Sequence, residues 1–399
     1  MAELEPLTET EHVPLALAER QPIRRQSFSS YIFSTFVGGG AVSAFRWLLT
    51  YSGKYSRACK RRLQRDKPLS GLFPKPPARP PLARTITDGP QVPLECFIDA
   101  LGLDIVVYSW PAPSRAATKG VILMCHGLDG YCEADLAKRP GLSEGKGYSG
   151  SWLEALNNAG YLIYSFDYQG MGYSESVVDG LATMCFDYDD YVDEASALYR
   201  LLKDRHPQLP FAIFGGSMGG CVALRTAQRM PSAFSACVVW CPAVGNFEKL
   251  KGKPENRIVL PLLGVLSRYF PWLPVGKKHT NVMSRATTEE FKIGLPRFNR
   301  RTNMRASYCT TALRAGEDAI RDAPKLTMPL WVCHAEDDEM TDFAGSVALI
   351  GAATSTNDKT LVTEGLAGAD HNIVEADCDP ERHQLKYVKM IIAWLDARL

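Results

Sequence analysis

The residues best placed for chemistry are Gly215-Gly216-Ser217-Met218-Gly219, a G-x-S-x-G. The pattern follows the apolar run FAIFGG and opens the Ala- and Leu-bearing stretch SMGGCVALRTAQRM. That context predicts a very tight turn from strand to helix. A serine at such a turn holds a strained backbone conformation, and Gly215 and Gly219 keep a Cβ out of the way of neighbouring backbones. The turn lifts the Ser217 hydroxyl to the carboxyl end of its strand. It also aims the Met218 N–H at the place where an oxyanion forms, with the positive end of the helix behind it. The chemistry expected is nucleophilic acyl transfer. The bare pattern is common by chance; the flanking strand and helix give it weight.

A serine nucleophile needs a second oxyanion donor, a base and an acid. The run GVILMCHGLDGY ends an earlier strand at His126-Gly127, and Leu128 offers the second N–H. Gly127 lets the backbone approach a substrate closely. His126 precedes Ser217, whereas the base follows the nucleophile in this kind of elbow, so His126 is read as shaping the loop. For the acid, PLWVCHAEDDEMTD offers Glu336, Asp337, Asp338 and Asp342 near a strand end. Asp342 reads as the N-cap of the helix beginning FAGSVALI. Pattern alone leaves Asp337 and Asp338 open. The base is expected in the loop after the last strand, KTLVTE, where GLAGADHNI supplies His371. His334, at the strand end before the acids, is read as structural, and His383 as a surface residue. This chemistry requires no cofactor and no metal.

The elements that must hold these residues alternate along the chain. VPLECFID and LDIVVYSW read as an antiparallel hairpin, and GVILMC, YLIYSF, FAIFGG, SACVVW, PLWVC and KTLV as buried strands. SWLEALNNAG, the stretch from about Tyr188 to Asp204, SMGGCVALRTAQRM and LKYVKMIIAWLDARL read as helices. Strands alternating with helices mean a mostly parallel sheet covered on both faces. The stretch 243–326 holds no convincing strand and reads as a helical insertion between two sheet strands.

The 399 residues comprise 46% hydrophobic and 22% charged side chains with a net charge of +1, so nothing global favours nucleic acid as a partner. Eleven cysteines without a C-x-x-C pair or zinc spacing read as small buried side chains in a reduced, intracellular setting. Residues 1–30 read as disordered. Residues 31–51 are apolar with one charge, Arg46, and a basic cluster follows over 54–67. A membrane surface is therefore a candidate partner through 31–67, and the three glycines Gly38–Gly40 argue against a true span. Residues 68–93 hold eight prolines and read as a semi-rigid linker, so the folded core is expected from about residue 93.

These segments resemble one family. CHGLDGY, SFDYQGMGYSES, FGGSMGG, MPLWVCHAEDDEMTD and DHN occur in the order seen in the monoglyceride lipase and lysophospholipase group of α/β hydrolases, the plant-type members above all. Members typically read H-G-E-A-D-x-V-T-D where this chain reads His334-Ala335-Glu336-Asp337-Asp338-Glu339-Met340-Thr341-Asp342. That gapless register implies Asp338 as the catalytic acid and places Asp337 at an alanine position. The resemblance implies an α/β-hydrolase fold for 93–242 and 327–399, with a helical cap at 243–326 over the site. It implies an acyl-chain tunnel with Ile258–Phe270 as candidate lining, and a small lipid ester, a monoacylglycerol or lysophospholipid, as substrate. The chain departs from the family at Ala335 and in the longer, glycine-rich loop 132–150. An aminopeptidase or amidase, an acyltransferase, or a non-catalytic binding protein on the same fold are the alternatives. The localisation expected is cytoplasmic or membrane-associated.

Overall fold

The computed structural model describes residues 88–113, 118–128, 130–136, 147–178, 181–245, 247, 251–252, 254, 256–276, 304–364, 366, 371 and 383–399, with Leu82, Arg84 and Ile86. The apolar stretch 31–51, the basic cluster 54–67, most of the proline-rich stretch and residues 137–146 lie outside them. Among the described residues no helix is long and apolar enough to cross a membrane.

Eight strands form one sheet: β1 (Glu95–Ile98), β2 (Asp104–Trp110), β3 (Gly120–Cys125), β4 (Tyr161–Phe166), β5 (Phe211–Gly216), β6 (Ala236–Trp240), β9 (Leu330–Cys333) and β10 (Lys359–Val362). Their order across the sheet is β1-β2-β4-β3-β5-β6-β9-β10. β1 pairs antiparallel with β2, and β2 with β4; every other pair is parallel. The hairpin and the parallel run are both as the sequence predicts.

Among the described residues eight α-helices connect and cover the strands. They are α1 (Cys132–Leu136), α2 (Trp152–Asn158), α3 (Asp189–Arg205), α4 (Met218–Arg229), α5 (Asn256–Tyr269), α6 (Ala306–Arg321), α7 (Phe343–Ala352) and α8 (His383–Asp396). The continuous apolar strands divide their side chains between two cores. Val121, Leu123 and Cys125 of β3 pack on one face with Tyr191 and Leu198 of α3 and Leu224 of α4. Ile122 and Met124 pack on the other with Trp152 and Leu156 of α2 and Ile391 of α8. A strand whose alternate residues meet two apolar layers must be apolar throughout, which is why these runs show no polar alternation.

Between β6 and β9 the chain runs through α5 and α6. It also forms a short antiparallel ribbon of β7 (Pro274–Gly276) and β8 (Met304–Arg305), where the sequence had suggested no strand. The ribbon is too short to carry a period-two pattern. α5 holds Pro261 within it and buries Leu263, while Ile258, Val259, Leu262 and Val265 are exposed.

Packing of the core begins earlier than residue 93. Ile86 is 3% exposed and belongs to the α2–α8 core. Arg84 donates to Val92 O and Ser109 O and pairs with the buried Glu133 of α1. Proline-rich composition masks such docking, because two anchored side chains leave the local pattern unchanged. The described cysteines are all free thiols, and all but Cys96 and Cys309 are buried.

Candidate active site

Ser217 sits where β5 passes into α4, with φ 53° and ψ −122°. A non-glycine residue at such a positive φ is strained, and it persists because the surroundings over-determine it. Its N–H donates to Trp240 O at the end of β6, and its carbonyl accepts from Cys221 N and Ala243 N. The helix therefore starts at Met218, which is buried, and Tyr188 OH donates to Met218 O at 2.8 Å.

The flanking glycines do what the sequence required of them. A Cβ on Gly215 would lie 2.2 Å from Gly219 O. A Cβ on Gly219 would lie 2.1 Å from Cys125 O and 2.5 Å from His126 O, both backbone atoms. Gly219 is thus the point where α4 presses against the start of the loop carrying Gly127 and Leu128. Gly219→Ala is expected to cost about 1–3 kcal/mol through overpacking. It should also lower kcat more than it raises KM, because the carbonyls it displaces begin that loop. A thermal melt with steady-state kinetics on a soluble ester measures both, and an unchanged kcat would refute the expectation.

The loop is anchored from two sides. His126 is buried, its ring lies against Tyr168 with centroids 4.5 Å apart, and its Nε2 accepts from Tyr168 N at 3.4 Å. His126 thus packs into the loop's support. At the far end Cys132 N donates to Asp167 Oδ1 at 2.8 Å. Asp167 also accepts from Tyr173 N and Tyr108 OH at Oδ2. Burial pushes its carboxyl up to about 7, against the pull of those hydrogen bonds. Sequence reasoning quoted this residue within SFDYQGMGYSES without assigning it a task. Its task is to staple the loop after β4 to the loop after β3. Leu128 is partly buried against the α3–α4 core.

The residues expected as acid and base meet. His371 Nδ1 lies 2.8 Å from Asp338 Oδ2, in a pair whose carboxylate is fully buried. Asp338 Oδ1 accepts from Met340 N and Thr341 N, and Oδ2 from Thr341 Oγ1. Burial alone would raise this carboxyl. Hydrogen bonds from His334 and His371, the His371 charge and the Thr341 N–H overturn that and hold it far below the usual carboxylate range. Asp337 and Glu336 are exposed. Asp342 accepts from Ala344 N as the N-cap of α7, as its sequence position suggests.

Thr341 joins this pair to the elbow. Its Oγ1 lies 3.1 Å from Cys241 O, and Cys241 N donates to Cys333 O. Cys241 follows Trp240, the acceptor of the Ser217 N–H. Three strand ends, β5, β6 and β9, are thereby tied together at their carboxyl edge. Nothing in the sequence singled out Thr341, because its importance lies in partners from three separate strands.

Among the described residues one group has the make-up of a metal site: Cys241, His334 and Asp338, with ligand atoms within 4.8 Å of one another. It suits a metal poorly. Burial and the Asp338 charge push the Cys241 thiol well up, so it stays neutral, and the carboxylate oxygens are already occupied by donors.

Residues 116–376 match the model of a family described as "Serine aminopeptidase, S33". The monoacylglycerol lipase of Mycolicibacterium smegmatis is 24% identical over 270 residues, 68% of this chain and 88% of that protein. The human monoglyceride lipase is 28% identical over 226 residues, 55% of this chain and 71% of that protein. A solved structure of a soluble monoglyceride lipase variant from Saccharomyces cerevisiae aligns with a TM-score of 0.61 at 17% identity. It covers 82% of this chain and 99% of that one. That likeness shows the α/β-hydrolase fold.

Proposed function

This chain belongs to the serine aminopeptidase S33 family and is a carboxylic ester hydrolase of the monoglyceride-lipase kind; we propose that it cleaves monoacylglycerols, or lysophospholipids, through an acyl-enzyme on Ser217. The observation that carries this reading is the buried Asp338–His371 pair, linked through Thr341 and the β6 end to the strained Ser217 turn. A carboxylate on Nδ1 leaves His371 Nε2 as the proton acceptor.

In the proposed cycle His371 takes the Ser217 proton as Oγ attacks the ester carbonyl. The Leu128 and Met218 N–H groups hold the oxyanion. The tetrahedral adduct collapses, the C–O bond to glycerol breaks, and the leaving alkoxide takes the proton from His371. Water, deprotonated by the same histidine, then attacks the acyl carbon and releases the fatty acid and Ser217.

The family's description speaks for a peptidase as a second reading. An aminopeptidase needs acidic groups to hold a substrate ammonium, and the basic segment PRFNRRTNMRAS in the stretch before β9 argues against it. The deciding experiment has two parts: labelling with a fluorophosphonate, then hydrolysis of a panel of monoacylglycerols, lysophospholipids and aminoacyl amides. An adduct at Ser217 and preference for the glycerol esters are expected. Preference for the amides would replace the lipase reading with a peptidase, and no adduct at Ser217 in folded protein would sink the nucleophile.

A further inference from the structure

We propose that His334 is a positioning residue: it donates Nε2–H to the same Asp338 oxygen that holds His371, and so sets how strongly that carboxylate retains the proton on the base. The proposal rests on the reading of Asp338 and His371 as acid and base.

His334 lies just beyond β9, four residues before Asp338, and it is fully buried. Its Nε2 is 3.2 Å from Asp338 Oδ2 and 3.4 Å from Thr341 Oγ1. Its Nδ1 is 2.7 Å from Ser346 Oγ on α7. Phe343, at the start of α7, stands edge-on to the ring with an interplanar angle of 89°. Both nitrogens and a ring face are therefore engaged, and the imidazole has no freedom to turn. An ionised carboxylate only accepts, so the nitrogen facing it carries the proton. That leaves Nδ1 facing the Ser346 hydroxyl.

The consequence is electrostatic. Asp338 Oδ2 is shared by His371 Nδ1, His334 Nε2 and Thr341 Oγ1. Donors other than His371 draw on the same charge that stabilises an imidazolium at His371. In a buried, low-dielectric site that competition is not screened by water. His334 therefore weakens the hold of Asp338 on the His371 proton. It keeps the base available at lower pH than the Asp–His pair alone would allow. Among the described residues the other groups facing His334 are Cys241, from the end of β6, kept neutral by burial, and Ser346 and Phe343 from α7.

The test is the pH profile of kcat/KM on a soluble p-nitrophenyl ester, measured on the full chain. His334→Leu is expected to move the acidic limb to higher pH by about half a unit to one unit. His334→Gln, whose amide nitrogen reaches towards the place of Nε2, is expected to restore the limb most of the way. If the Leu variant does not fold, His334→Met fills the space without a donor and should shift the limb in the same direction. An unmoved limb in a folded variant that still reacts with a fluorophosphonate would overturn the proposal, since a merely structural histidine predicts that result. Failure of the unaltered protein to label at Ser217 would overturn the parent reading instead.

Discussion

Asp338→Asn is expected to lower kcat about 10⁴-fold while leaving the folded structure in place. An asparagine fits the same space, and its carbonyl oxygen can still accept from the Met340 and Thr341 N–H groups that hold Oδ1. What it then presents to His371 is an amide NH₂. Nδ1 must become the acceptor, the ring proton moves to Nε2, and the histidine can no longer take a proton from Ser217. The loss is one of tautomer, not of packing. Asp337→Asn should leave kcat within about twofold, because Asp337 is exposed and surface changes of this kind are nearly neutral. Parallel kcat and circular-dichroism measurements on the two variants decide between the neighbouring carboxylates; a normal rate for the Asp338 variant would reassign the acid. A stability effect accompanies the rate effect. The folded-state carboxyl of Asp338 lies below its ordinary range, so its contribution is present above about pH 4 and is lost as pH falls below that. The Asn variant should show a shallower loss of stability on acidification.

Arg84→Ala should destabilise the protein by about 3–5 kcal/mol, the cost of removing one member of a buried ion pair. The Arg84 and Glu133 side chains are 5% and 0% exposed, and Nη1 lies 3.3 Å from Oε1. The guanidinium also donates to Ser109 O at 2.6 Å and Val92 O at 2.9 Å, and lies over the Trp110 ring at 4.8 Å. Removing it withdraws the cation from a carboxylate that cannot reach water. A drop in melting temperature of about 10 °C follows for a core of this size. Arg84→Lys keeps the charge but not the planar fork, and should recover part of the loss. Adding Glu133→Gln to the Ala variant should recover more, since the buried negative charge is then gone. A melting curve for Arg84→Ala that superimposes on the unaltered protein would show that the pair carries no stability. The pair matters beyond stability, because Glu133 lies on α1, directly after the Cys132 N–H that Asp167 holds. A segment outside the family match at 116–376 thus fastens the loop that carries Leu128.

Much of this was readable from residue type and order. A G-x-S-x-G between an apolar run and a helix specifies a strained turn, because few other sequences tolerate the backbone approaches seen at Gly215 and Gly219. The apolar runs of β3, β4, β5, β6 and β9 specify the middle of the sheet, because a strand covered on both faces has no polar side to show. His371 was singled out by its place after the last strand. These are local or periodic signals, and the chain carries them without help from distant contacts.

Other features depend on which distant residues arrive at one point. Pattern left Asp337 and Asp338 open, and only the family register separated them. In the fold the turn after β9 sends Asp338 inward to His371 and leaves Asp337 exposed. Thr341, His334 and Cys241 acquire meaning only when β6 and β9 lie side by side and His371 meets Asp338 beside them. Arg84 looked like part of a linker until Trp110 and Glu133, 26 and 49 residues away in sequence, closed around it. The sequence by itself determined that Ser217 sits on a strained elbow in a parallel sheet, since backbone sterics and burial act residue by residue. The tertiary structure decided which charges and donors surround Asp338 and which segment braces the oxyanion loop, since electrostatic contacts form only between groups that folding brings together in a medium that does not screen them.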